Sequence, residues 1–241
     1  MRTVPGNGLI LANGTENSVA RVLQRGCWTP VEQVSSSSGW QAGEIDAAGS
    51  FDVMLKGERL GRVQWDLLGN HNRHNALAAI GAARHVGVPP AQAIEALAQF
   101  KNVKRRMEVR GVVNNITVYD DFAHHPTAIE TTLAGLRAKV GGARILAVLE
   151  PRSNTMKLGT MKAQLPASLE AADHVFCYGA NLGWDAAAAL APLGGKAETH
   201  DDLEKLIQAI TLKAQPGDHI LIMSNGGFDG IHQKLLDRLA V

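Results

Sequence analysis

Two regimes of apolar spacing divide the chain. Through residue 68 the apolar positions come in short runs broken by turn residues. Residues 9–12 lie between Pro5-Gly6-Asn7-Gly8 and Asn13-Gly14. Further on, Phe51-Asp52-Val53-Met54-Leu55 alternates, Lys56-Gly57 turns, and residues 60–68 alternate loosely. Alternation on both sides of a two-residue turn is a hairpin signal. Residues 35–38 are a polar loop, and one short helix fits residues 18–25. No helix-periodic stretch within residues 1–68 is long enough to close a core over these strands. This part is expected to be the weaker one and to belong to something larger.

From residue 70 the period changes. Ala76, Leu77, Ala79, Ile80 and Ala83 recur at helical spacing, predicting a helix over 70–86 that Gly87 stops. Pro89 and Pro90 open a second helix over 91–100, where a missing N–H is harmless. A basic stretch, 101–110, follows. Beyond it, strands over 112–119, 144–149, 175–178 and 219–223 alternate with helices over 126–139, 157–171, 185–193, 201–213 and 230–240, the fourth capped by Asp201 or Asp202. Such alternation predicts an α/β fold with a doubly wound, mainly parallel, Rossmann-like sheet. Ligands of these sheets sit at the carboxyl ends of the strands, so the informative residues should follow strands.

Composition narrows the classes. With 241 residues, 45% hydrophobic and 20% charged, the chain has apolar mass for one large or two modest cores. A net charge of +1 argues against nucleic acid or an anionic membrane as partner. Cys27 and Cys177 form no metal or disulfide pattern, which fits a reducing cytoplasm. Residues 1–6 lack the apolar core of a signal peptide, and no apolar run approaches the roughly 20 residues of a membrane helix.

Five clusters carry candidate chemistry. In Gly69-Asn70-His71-Asn72-Arg73-His74-Asn75, Asn72 and Asn75 share one helix face, and a side-chain amide suits an adenine edge; plain capping by Asn70 or Asn72 is the simpler account. In Lys104-Arg105-Arg106-Met107-Glu108, two arginines suit phosphates, unless the run is a solvated linker. Tyr119-Asp120-Asp121-Phe122-Ala123-His124-His125-Pro126 is the sharpest, placing carboxylates and imidazoles between a strand and a helix N-terminus. A metal site there lacks a further His or Cys cluster to complete its shell. Leu149-Glu150-Pro151-Arg152-Ser153-Asn154-Thr155-Met156-Lys157 again follows a buried strand, and Arg152 offers a guanidinium fork for a carboxylate, unless this is a plain polar strand-to-helix loop. Met223-Ser224-Asn225-Gly226-Gly227-Phe228 exposes backbone N–H groups to an anion, although tight strand-to-helix turns use glycine anyway.

Together these clusters resemble the Mur ligase family. His71-Asn72-x-x-Asn75 looks like its adenine motif, Lys104-Arg105-Arg106-x-Glu108 like the junction of its central and C-terminal domains, and Tyr119–Asp121 with Phe122–Thr127 like its strand-to-helix motif. The stretches 149–159 and 223–228 resemble those members that add a murein tripeptide, rather than alanine, to UDP-N-acetylmuramate. The resemblance covers essentially the whole chain. It implies a remnant of the central ATP-binding domain over 1–107 and the C-terminal domain over 108–241. It also implies ATP and Mg2+ as cofactors and the UDP-sugar and tripeptide as substrates.

By the same resemblance, His71, Asn72 and Asn75 hold adenine, and Arg105 or Arg106 with Asp120 hold ribose or phosphate. His124 and Asp120 stand at the chemistry, and Arg152, Ser153, Asn154, Ser224, Asn225 and Gly226 hold the tripeptide. No Gly-Lys-Thr phosphate loop occurs in these 241 residues, nor the central domain's acidic magnesium ligands. The chain is therefore expected to be a fragment, inactive alone, whose partner is the missing N-terminal half. Asp229 departs from the family's glycine. The rivals are an alanine-adding ligase fragment and a non-catalytic nucleotide- or peptide-binding module. A Rossmann oxidoreductase lacks its G-x-G-x-x-G.

Overall fold

A computed structural model describes residues 3–46, 49–65, 67 and 69–241. It divides into two compact units, one ending at Asn102 and the other beginning at Val103.

The first unit holds β1 (Ile10–Asn13), α1 (Asn17–Gln24), β2 (Val31–Val34), β3 (Trp40–Ala42), β4 (Phe51–Leu55), β5 (Glu58–Val63), α2 (Asn70–His85) and α3 (Pro90–Ala98). The sheet runs β1-β2-β3-β4-β5. Its first three strands are parallel, and β4 and β5 form the expected hairpin. The sequence reading extended β5 to 68, and residues 66 and 68 lie outside the described ones.

As the pattern predicts, the core of these strands is closed from beyond residue 68. Ala76, Leu77 and Ile80 of α2 and Ala93 and Ile94 of α3 bury against Trp40, Phe51, Val53 and Val63. The closing helices simply come after residue 68 in sequence. Their approach is tight: a Cβ on Gly81 would stand 2.9 Å from a Leu11 methyl and 3.2 Å from the Trp40 indole nitrogen.

The second unit holds β6 (Glu108–Val113), β7 (Ile116–Asp121), α4 (Pro126–Val140), β8 (Ile145–Leu149), α5 (Asn154–Lys157), α6 (Leu165–Ser168), β9 (His174–Tyr178), α7 (Ala186–Leu190), β10 (Ala197–His200), α8 (Leu203–Lys213), β11 (His219–Met223) and α9 (Ile231–Leu239). The strand order is β10-β9-β8-β11-β7-β6, parallel except for the β6–β7 hairpin. Period-two alternation splits the buried side chains between two helix layers. Tyr119, Ile145, Ala147, Leu149, Val175, Cys177, Leu221 and Met223 face α4, α6 and α7. Val118, Leu146, Val148, Phe176, Ile220 and Ile222 face α8 and α9. This is the doubly wound sheet that the sequence predicts.

Details differ from the pattern. The single strand expected over 112–119 is a hairpin, turned by Asn114 and Asn115 at φ 50° and 62°, a left-handed pair typical of two-residue hairpin turns. The helix expected over 157–171 shrinks to α5, a single 3₁₀ turn and α6. β10 was absent from the sequence reading. Of the two proposed caps for α8, Asp202 serves, accepting from the Lys205 N–H at 2.8 Å.

The topology fixes where a ligand belongs. The chain leaves β7 and β8 toward the α4–α7 layer and leaves β11 toward α9 in the opposite layer. β11 lies between β7 and β8. The crevice of the sheet therefore opens at the carboxyl end of β11, between the loops 121–125, 150–153 and 224–230.

Candidate functional site

All three loops carry clusters singled out in the sequence, and the structure brings them together around two arginines. Arg105 turns inward. Its Nε lies 3.3 Å from Asp120, and its Nη2 donates to the carbonyls of Ser224 at 2.6 Å and Gly226 at 2.7 Å. Its guanidinium also stands 5.2 Å from the Phe122 ring centre. These contacts, with the Met107 N–H donating to Asp121 at 2.8 Å, make residues 103–107 part of the second unit. The compact units accordingly meet five residues before the 107/108 boundary read from the sequence.

Asp120 is buried, its side chain 3% exposed, among Arg105, Arg110 at 3.6 Å and His232 at 3.3 Å. The His232 contact has ion-pair distance without hydrogen-bond alignment. Burial alone would raise the Asp120 pKa. The facing His232 and the Arg105 guanidinium outweigh it and hold the carboxyl below the ordinary carboxylate range. Sequence reasoning put Asp120 at ribose, phosphate or the chemistry. In this structure it is the anchor of an ion cluster.

Asp121 is equally committed. It accepts from the Met107 and Ala123 N–H groups, both at 2.8 Å, and from the Thr132 hydroxyl at 3.2 Å. His124 sits half-buried before α4, its Nδ1–H donating to the Phe122 carbonyl at 2.9 Å. With Nδ1 carrying that proton, Nε2 of a neutral ring is the acceptor nitrogen. His125 caps α4 through its extended backbone, and its ring meets His124 edge-on at 5.3 Å. Arg106 is exposed, with its guanidinium 6.0 Å from the Phe122 ring centre.

Arg152 is exposed at the start of the β8–α5 loop. A Cβ on Gly226 would stand 2.2 Å from Arg152 Nη1 and 2.8 Å from its Cζ. The guanidinium therefore rests on the bare Cα of Gly226, a seat only glycine provides. The neighbouring Ser224 is buried. Its hydroxyl donates to Glu150 at 2.5 Å and accepts from the Gly226 N–H at 2.9 Å, tying the two loops together. Ser153 caps α5, accepting from the Met156 N–H at 3.3 Å, and Asn154 is exposed beside it. Asn225 carries a buried Oδ1 with no hydrogen-bond partner. Phe228, Asp229 and Gly230 follow in left-handed conformation at φ 46°, 46° and 70°. That is costly for phenylalanine and the kind of strain found at ligand loops.

Arg152 also lines a cavity of about 210 Å³ with Glu150, Lys157, Tyr178 and Asn181. Lys157 belongs to the cluster read after β8, whereas sequence reasoning does not single out Tyr178, Asn181 or His232. Tyr178 ends β9, so the rule of strand ends alone would have found it.

In the first unit, His71, Asn72 and Asn75 occupy the opening turns of α2. The helix cap is Gly69, and the Asn70 side chain accepts from Arg73 at 2.6 Å. His71 and Asn75 are exposed, and the His71 ring closes to 2.9 Å from where a Gly69 side chain would start.

This fold and these strand-end loops define a doubly wound α/β domain with a ligand crevice at its strand ends. The family model for the Mur ligase, glutamate ligase domain matches residues 105–226, and the chain belongs to the Mur ligase family. It is 52% identical over 243 residues to the UDP-N-acetylmuramate–L-alanyl-γ-D-glutamyl-meso-2,6-diaminoheptandioate ligase of Escherichia coli K12, a match covering all of this chain and 53% of that protein. It is 34% identical over 235 residues to the UDP-N-acetylmuramate–L-alanine ligase of Synechococcus elongatus, covering 90% of this chain and 47% of that one. Among solved structures, a murein peptide ligase of Psychrobacter arcticus superposes with a TM-score of 0.76 at 40% identity, covering 99% of this chain and 52% of that one. The chain thus spans about half the length of the relatives it matches.

Proposed function

We propose that this chain forms the nucleotide-closing and amine-binding part of an ATP-dependent ligase. The reaction joins the tripeptide L-alanyl-γ-D-glutamyl-meso-diaminopimelate to UDP-N-acetylmuramate in peptidoglycan recycling. The observation that carries the reading is the seat of Arg152 on Gly226 at the sheet's crevice, opening onto a cavity with a second cation, Lys157. A guanidinium fork suits a planar carboxylate, and the tripeptide carries several. The cavity is smaller than the roughly 300–1,000 Å³ that enclose drug-sized ligands, so it fits one end of a peptide. Glu150 on its rim suits an ammonium beside the carboxylate. The unpaired Asn225 Oδ1 offers an acceptor to a ligand donor. The higher identity to the tripeptide-adding relative favours this substrate over alanine.

ATP transfers its γ-phosphate to the carboxyl group of the UDP-sugar. The neutral α-amine of the peptide then attacks that carbonyl, and phosphate leaves as the amide forms. In this reading, His71, Asn72 and Asn75 meet adenine. Arg106, exposed beside the Phe122 ring, takes the phosphate role. Among the described residues no group of three His, Cys, Asp or Glu is placed to hold a metal, and Asp120 and Asp121 are taken up by Arg105, His232 and backbone N–H groups. These residues do not fit a magnesium ion.

The test is a chimera in which this chain replaces the matching half of the Escherichia coli relative. Tripeptide-dependent ADP release, with alanine inert, is the expected result. Release driven by alanine, or by neither, contradicts the reading.

A further inference from the structure

Arg105 lies 119 and 121 residues from the two carbonyls it grips, yet it holds the loop on which Arg152 rests. Its Nε faces Asp120, and its Nη2 serves both Ser224 and Gly226. Its backbone is fastened as firmly. The Arg105 N–H donates to Glu108 at 2.8 Å, and the Arg105 carbonyl accepts from the Phe122 N–H at 2.9 Å. Both Arg105 and Met107 are held at positive φ, 60° and 52°, a conformation that persists in non-glycine residues only where surrounding contacts impose it.

The consequence runs along a short path. Arg105 fixes the Gly226 carbonyl, Gly226 presents its bare Cα, and the Arg152 guanidinium lies on that Cα. On the other side, Ser224 binds Glu150 at the root of the loop that carries Arg152. We propose that Arg105 is a positioning residue for amine-substrate recognition: it touches no ligand itself and sets the height and direction of Arg152 by holding the carbonyls of Ser224 and Gly226. This rests on the proposed function for its substrate, but not for the mechanical claim. Lysine does not replace Arg105, because an ammonium is a point donor and the three acceptors need a planar fork.

The experiment has two arms on the 241-residue chain. The first, without ligand, is amide hydrogen exchange in wild type, Arg105→Lys and Arg105→Ala. Expected is exchange at the Gly226 N–H faster by about ten-fold in Arg105→Ala, the effect of losing roughly one charge-assisted hydrogen bond. Leu221 and Ile222 in β11 should stay protected, showing that the sheet is intact. The second arm is calorimetric binding of L-Ala-γ-D-Glu-meso-diaminopimelate. Arg105→Ala should weaken it by about ten-fold, and Arg105→Ala combined with Arg152→Ala should be no weaker than Arg152→Ala alone, since one acts through the other.

Gly226→Ala guards against a folding failure. It leaves the Arg105 contacts in place and displaces only the flexible Arg152 side chain, so weakened peptide binding by a folded Gly226→Ala chain supports the proposal. Unchanged exchange at Gly226, or additive losses in the double variant, overturns it. Faster exchange with no peptide binding by any form, wild type included, contradicts the proposed substrate and leaves the positioning of the loop standing.

Discussion

The Ser224 hydroxyl donates to the Glu150 carboxylate, joining the loop after β11 to the loop after β8 across the point where the sheet's connections part to opposite layers. The same oxygen accepts from the Gly226 N–H. One buried side chain therefore links two walls of the crevice.

Ser224→Ala should cost about 1–3 kcal/mol, because it leaves the half-buried Gly226 N–H without its partner and removes the donor to Glu150. Urea unfolding followed by circular dichroism measures it. A change within about 0.5 kcal/mol, as at an ordinary surface site, means the hydroxyl does not hold the loops.

Asp120 makes stability depend on acid pH. Its folded pKa lies below its ordinary value, so its contribution is fully present above about pH 4, the unfolded carboxylate range, and is lost as pH falls through the depressed folded value. Asp120→Asn should therefore be clearly less stable than wild type at pH 7, and the gap should narrow as the pH is taken below about 4. Urea midpoints across that range give the answer, and a gap that is constant with pH contradicts it.

Much of this was legible before the structure, and the misses have physical causes. The buried strands over 145–149 and 219–223 are apolar on both faces, as parallel strands covered by helices must be. The edge strand β10, Ala-Glu-Thr-His, has no fully buried position and so no pattern to read. Residues 112–119 read as one strand because Asn114-Asn115 is a weaker turn signal than Asn-Gly. The motifs at 120–126, 150–154 and 223–228 were found, since chemistry gathers at strand ends. The inward role of Arg105 was not, because its acceptors are backbone carbonyls more than a hundred residues away, which leave no trace in residue type.

The boundary gives a third prediction. A fragment of residues 103–241 should fold cooperatively, having both helix layers over its sheet. A fragment of 108–241 loses Arg105 and the Met107 N–H and leaves Asp120 short of a partner, which should lower the melting temperature by at least about 5 °C. Equal melting temperatures would place residues 103–107 outside the cooperative unit.

The two cysteines should separate cleanly. Burial pushes the Cys177 thiol up to about 12, whereas Cys27 is partly exposed. Since the thiolate is the nucleophile, a thiol reagent at pH 8 should label Cys27 in the native chain and Cys177 only after denaturation. Labelling of Cys177 in the native state would mean the β8–β9 core opens readily.

The central claim is that the second unit takes an acidic peptide at Arg152. Isothermal titration of the tripeptide into wild type and Arg152→Ala tests it most directly. Loss of one charge-assisted contact, about 1.5–3 kcal/mol, should weaken binding by roughly 10- to 100-fold, and Arg152→Lys should recover only part of it. Tripeptide affinity unchanged in Arg152→Ala would contradict the account and move the carboxylate site away from the crevice.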